Sequence, residues 1–116
     1  MEEIHATATF PAIAAANAGA FKQLAAELLQ TVRGETGTLQ YDWFFNEDGT
    51  QCVLHEAYSN SDAALVHIGN AGPSIPRLME LSGGLKLELF GDPSAALRDA
   101  IAPLDPLIYS YAQGKR

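Results

Sequence analysis

One cysteine, one tryptophan and three histidines occur in 116 residues, and seven lysine and arginine side chains stand against fourteen aspartates and glutamates. Each scarcity excludes something. Cys52 cannot form an internal disulfide and has no second thiol with which to hold zinc, so it reads as a small core residue. His5, His55 and His67 are too dispersed for an H-x-x-x-H or H-E-x-x-H site, and no metal is expected. A formal charge of −7, with no basic cluster, repels phosphate backbones and anionic lipid and sets aside nucleic acid and membranes as partners. No window approaches the roughly 18 apolar residues of a membrane span. The opening Met1-Glu2-Glu3 lacks the basic region and apolar run of a signal peptide, so the expected location is the cytoplasm. No G-x-G-x-x-G follows a strand, and P-loop and G-x-S-x-G patterns are missing, which argues against nucleotide and serine-hydrolase chemistry.

What is there is the composition of a globular domain, 47% apolar and 18% charged, at a length that suits one domain and not two. Residues 3 to 10 alternate, with Ile4, Ala6, Ala8 and Phe10 on one side, and Pro11 closes the strand. Phe21, Leu24, Ala25, Leu28 and Val32 recur at helical steps between about Asn17 and Arg33, and Gly34 and Gly37 end that helix. Residues 38 to 46 and 51 to 58 alternate again around Asp48-Gly49, the signal of a type I′ hairpin turn. That turn sets Trp43 opposite Leu54, Asp42 opposite His55 and Tyr41 opposite Glu56. One hairpin face then carries Leu39, Tyr41, Trp43, Phe45, Cys52, Leu54, Glu56 and Tyr58, an apolar surface with one carboxylate in it.

Helix caps in Ser59-Asn60-Ser61-Asp62 start a short covering helix, and Ile75, Leu78, Met79 and Leu81 suggest a further turn or two. Leu85, Leu87 and Leu89 mark a fourth strand, followed by a short helix containing Leu97 and Ile101. The segment from Pro106 to Tyr111 is either an extra strand or an arm. The order β-α-β-β-α-β is the ferredoxin-like split βαβ arrangement of the α+β class, a four-stranded antiparallel sheet with helices on one face. Residues 1–92 form this unit, and residues 93–116 are a C-terminal helix and tail extension of the same domain. The second sheet face mixes Phe44, Val53 and Phe90 with polar residues and suits water or a second subunit.

Four stretches now carry a resemblance: Thr31-Val32-Arg33-Gly34-Glu35-Thr36-Gly37 with Tyr41, Glu56-Ala57-Tyr58, Ser61-Asp62-Ala63 with His67, and a strand ending Phe90-Gly91. In order and separation they are similar to the R-x-E-x-G … Y, E-x-[WY] and s-x-x-A … H pattern of the antibiotic biosynthesis monooxygenase family, within the dimeric α/β-barrel superfamily. The resemblance implies a homodimer packed through the sheet face, and in each subunit a pocket between sheet and helices for a small hydrophobic or aromatic ligand. It also implies oxygenation of phenolic or quinol-type compounds with no cofactor, neither metal nor flavin. That chemistry is reasonable, because an ionised phenol or enol can itself give an electron to dioxygen.

Each candidate residue has a functional and a plain reading. His67, on the covering helix, could take a proton from a phenol, or it could buttress the Gly69-Asn70 turn. Burial should raise the pKa of Glu56 unless a donor satisfies it. Together with Arg33 and Glu35, Glu56 is as well explained by a network that positions the helix as by catalysis. Trp43, Tyr41 and Tyr58 could stack on a flat substrate or serve as core, with Trp43 the preferred pocket residue. Arg77 could bind an anionic or carbonyl group or be solvated, and Asp42 opposite His55 reads as a cross-strand charge pair. The leading function is a cofactor-independent monooxygenase of a quinol, phenol or anthrone-like compound. The alternative is a non-catalytic small-molecule-binding or stress-response module of the same fold. Haem degradation, implied by more distant members of the superfamily, ranks last, because the first strand offers His5, Thr7 and Thr9 where those proteins use asparagine.

Overall fold

Inward alternation at every second residue makes β1 (Ile4–Phe10) a half-buried strand, its Ile4, Ala6, Ala8 and Phe10 all turned to one side. The computed structural model describes residues 2–115. Among these, α1 (Ala18–Val32), β2 (Thr38–Phe45), β3 (Cys52–Tyr58), α2 (Ser61–Ala71), α3 (Ile75–Ser82), β4 (Lys86–Phe90), α4 (Ala95–Ile101) and β5 (Leu107–Tyr109) follow, with short 3-10 turns between some of them. The sheet order is β2-β3-β1-β4-β5. The first four strands are antiparallel neighbours and β5 runs parallel to β4. The α+β, ferredoxin-like arrangement is therefore as the sequence implies, with a correction from four strands to five. After α4 the chain turns at Asp105, whose φ is +50°, and Pro106, which has no N–H to donate, stands just before the edge strand. The Gly91 amide donates to the Tyr109 carbonyl at 2.9 Å and holds that strand in place.

The hairpin register is the expected one: Tyr41 faces Glu56, Asp42 faces His55 and Trp43 faces Leu54. Two details differ. The register shifts between Thr38 and Gln40, so Leu39 is the extra residue of a bulge and turns out to solvent instead of joining the apolar face. The turn is not type I′, because Gly49 alone has positive φ, at +73°. Asp48 keeps ordinary backbone geometry and works through its carboxylate, accepting from the Thr50 amide at 3.0 Å and the Thr50 hydroxyl at 2.6 Å.

Helices cover one sheet face. Phe21, Ala25, Leu28 and Val32 make the buried stripe of α1. In α2, Asn60 accepts from the Ala63 amide at 2.9 Å as N-cap, and Ala64, His67 and Ala71 form the buried stripe. Ser94 caps α4 through the Leu97 amide at 3.1 Å, and its own amide donates to the Ser61 hydroxyl at 3.0 Å, tying α4 to the start of α2. Gly37 lets β2 and α2 meet: a Cβ there would lie 2.5 Å from the Ala63 Cβ, so any larger residue would push away the helix that carries His67. Among the described residues no helix is long and apolar enough to cross a membrane.

Candidate functional site

The interior cavity exists because β1 presents alanines where its neighbours present larger groups. Ala6 lies between Glu56 of β3 and Leu89 of β4, and Ala8 between Leu54 and Leu87. Two adjacent side chains that stop at Cβ leave a trough under α2 and α4. The cavity there measures about 80 Å³.

Its polar wall comes from β2, β3 and α2. Tyr58 Oη donates to Glu56 Oε1 at 2.5 Å, and His67 Nε2 lies 3.5 Å from the same oxygen. The other imidazole nitrogen, Nδ1, is 3.0 Å from Glu35 Oε1. Glu35, just beyond the end of α1, also accepts from the Thr38 hydroxyl at 2.8 Å and from Asn70 Nδ2 at 3.0 Å. Tyr41 and Tyr58 pack their rings against His67 with centroids 5.1 and 5.3 Å away. Burial works to raise the Glu35 carboxyl, but hydrogen bonds from Asn70 and Thr38, with the charge and hydrogen bond of His67, outweigh it and hold it below the usual range. Burial dominates at Glu56 and pushes it up, against the opposing pull of His67 and Tyr58. The Tyr41 and Tyr58 phenols are driven up by burial and by the charge of Glu56, so they stay donors. Burial also pushes the Cys52 thiol up to about 11 and leaves it inert.

An anionic Glu35 on Nδ1 fixes that nitrogen as the protonated one and turns Nε2 toward Glu56 and the cavity. The result is an imidazole oriented from behind and, beside it, a carboxyl group biased toward its neutral form with a phenol on it. Glu35 and Glu56 sit on opposite nitrogens of His67, so no point is within reach of all three, and no group of three or more metal-ligating side chains occurs among the described residues.

These assignments give the pH dependence a sign. In the unfolded chain Glu56 ionises near 4.5, whereas the folded state keeps its proton to higher pH, so this group lowers stability as pH rises above that value until it ionises in place. Glu35 has the opposite sign and contributes stability that is lost as pH falls below its unfolded value. In Glu56→Gln the first effect vanishes. The melting temperature of the parent should therefore decline relative to the variant as pH rises above 4.5, and a gap that stays constant with pH would refute a raised Glu56.

The structure brings Tyr41, Tyr58, Glu56 and His67 together on the cavity wall. It does not bring Trp43 there: its indole stacks on Phe10 at 6.1 Å and meets Phe21 and Tyr41 edge-on, with Nε1 buried and without a partner among the described residues. Trp43 borders instead a separate, open pocket lined by Leu29, Val32 and Arg33 of the α1 end and by residues of β2. Arg77 is exposed and pairs with Glu80 at 2.6 Å, one turn along α3, away from the cavity. Asp42 and His55 are opposed in register, but Asp42 accepts from Gln40 at 3.0 Å and His55 packs on Phe44 with ring centroids 5.0 Å apart. Glu35, expected from the R-x-E-x-G stretch to share a network with Arg33 and Glu56, is the residue that bonds His67 directly.

A ferredoxin-like α+β domain with an acid–base cluster walled into an apolar cavity is the class that fold and site define. The chain belongs to the antibiotic biosynthesis monooxygenase family, whose model matches residues 4–71. Its fold is similar to MupZ from Pseudomonas fluorescens, with 24% identity, a TM-score of 0.85, and coverage of 100% of this chain and 95% of that one. Rv0793 from Mycobacterium tuberculosis is similar at 22% identity and a TM-score of 0.69, over 81% of this chain and 98% of that one. A candidate antibiotic biosynthesis monooxygenase from Caulobacter crescentus gives 22% and 0.67, over 76% and 87%. The chain has no sequence match among curated proteins.

Proposed function

We propose that this protein is a cofactor-independent monooxygenase that binds a small molecule with an ionisable phenol, quinol or enol and removes its proton through His67. The observation that supports it is the two-sided imidazole, with Nδ1 on the Glu35 carboxylate and Nε2 toward the cavity. Family membership supports the general class. Once deprotonated, a carbon acid of this kind gives an electron to dioxygen; recombination forms a peroxide, and loss of water leaves one oxygen atom as a carbonyl. A CH₂ group and O₂ thereby become C=O and H₂O with no external reductant. The protein's part is to bind, desolvate and move the proton. The reading includes a homodimer packed through the sheet face that exposes Phe44 and Phe90.

One observation favours a second reading. Glu56, raised by burial and bonded to Tyr58, sets a proton donor beside the base, and such a pair can isomerise or cyclise a substrate without consuming oxygen. Oxygen-electrode assays of the purified, metal-free and flavin-free protein with hydroquinones, anthrones and enolisable diketones separate the two. Uptake above buffer, matched by product, is the expected result. Substrate conversion without uptake would establish the second reading, and neither would leave a binding module.

A further inference from the structure

We propose that the molecule this cavity takes is aliphatic: an enolisable carbonyl head placed at His67, carrying an unbranched hydrocarbon arm that lies across Ala6 and Ala8 toward α4. The inference deepens the reading above, since the head group is the one that reading deprotonates.

Two observations carry it. First, the two walls differ in kind. The polar groups all stand on the β2, β3 and α2 side. The opposite wall, two strands and therefore roughly 10 Å away, is hydrocarbon: Leu87 and Leu89 of β4, Leu97 and Ile101 of α4, and Leu104 in the turn that follows. Second, aromatic side chains are not what lines that half. The aromatic cluster of Phe10, Phe21, Trp43 and Phe45 packs on itself under α1, and only Phe10 of these reaches the cavity. A flat polycyclic ligand would thus meet leucine branches where a stacking platform is wanted. The hydrocarbon wall is built by residues beyond 71, where the family match ends.

The test is equilibrium binding, by calorimetry, of a 2,4-diketone series from pentane to undecane, with anthrone and 1-naphthol as flat comparators. Affinity should tighten about fourfold with each early methylene, the gain of burying one such group, and then level off when the cavity is full. Ile101→Phe and Leu104→Phe narrow the hydrocarbon wall from two positions, and either should bring the plateau to a shorter chain. Affinity independent of chain length, a flat comparator that binds more tightly than the mid-length diketones, or an unchanged plateau in both variants would overturn the proposal. Oxygen uptake is read separately on the same series. Chain-length-dependent binding without uptake leaves the aliphatic arm standing and removes the monooxygenase reading, whereas uptake without chain-length dependence does the reverse.

Discussion

His67→Ala is expected to lower turnover by about 10²- to 10⁴-fold, the span of a positioned general base, and Glu35→Gln by about 10- to 100-fold, the span of the group that orients it. The two differ in kind. His67→Ala removes the nitrogen to which the proposed function assigns the proton. Glutamine at 35 keeps the size and one acceptor oxygen, but it replaces the other oxygen with an amide that opposes Asn70 Nδ2, which donates there at 3.0 Å. It also removes the charge that fixes the proton on Nδ1 across 3.0 Å. The fall in Glu35→Gln should therefore be in kcat more than in KM, and the acid limb of its pH–rate profile should move. Nitrogen-15 spectra of the imidazole read the same event without turnover: the parent shows Nδ1 protonated, and the variant a mixture of tautomers. A single tautomer retained in Glu35→Gln, with kcat unchanged, would show that Glu35 serves only to hold α2.

That pair also marks how far the sequence could be read. Alternation placed Tyr41, Glu56 and Tyr58 on the inner face, and the register fixed by Asp48-Gly49 set Tyr41 opposite Glu56 as observed, since a two-residue period leaves no freedom once the loop is symmetric. Helical period put His67 on the buried stripe with Ala64 and Ala71. The chain could not announce that Glu35, in the turn after α1, comes within reach of a helix 32 residues later, because that contact depends on how closely α2 approaches β2 over Gly37. Trp43 shows a related limit. A periodic pattern gives the face of a residue but not its neighbours, and α1 sets Phe21 edge-on against the Trp43 indole. The bulge at Leu39 and the three-residue strand Leu107–Tyr109 are too short to carry any period of their own. The trough was legible in retrospect: two inward-facing alanines in the central strand leave room that the sheet's larger residues do not fill.

Phe21→Ala should be the most destabilising single change away from the site, with a loss of about 3 to 5 kcal/mol, a large part of the roughly 5 to 15 kcal/mol that holds a domain together. Phe21 is 0% exposed and meets Phe10, Phe45 and Trp43 edge-on at 5.3, 6.0 and 6.1 Å. Truncation removes the ring that anchors α1 to the sheet and leaves a void between groups fixed by two strands and a helix, which can close only partly. Urea unfolding followed by Trp43 fluorescence is the direct measurement, because that indole rests against the deleted ring. The midpoint should fall with the slope unchanged. A loss below about 1 kcal/mol would mean that α1 collapses into the gap and that the aromatic cluster is not what holds it. Phe21 does not line the cavity, so a folded Phe21→Ala protein should still bind diketones in the same chain-length order, and this separates the cluster that stabilises the fold from the wall that selects the ligand.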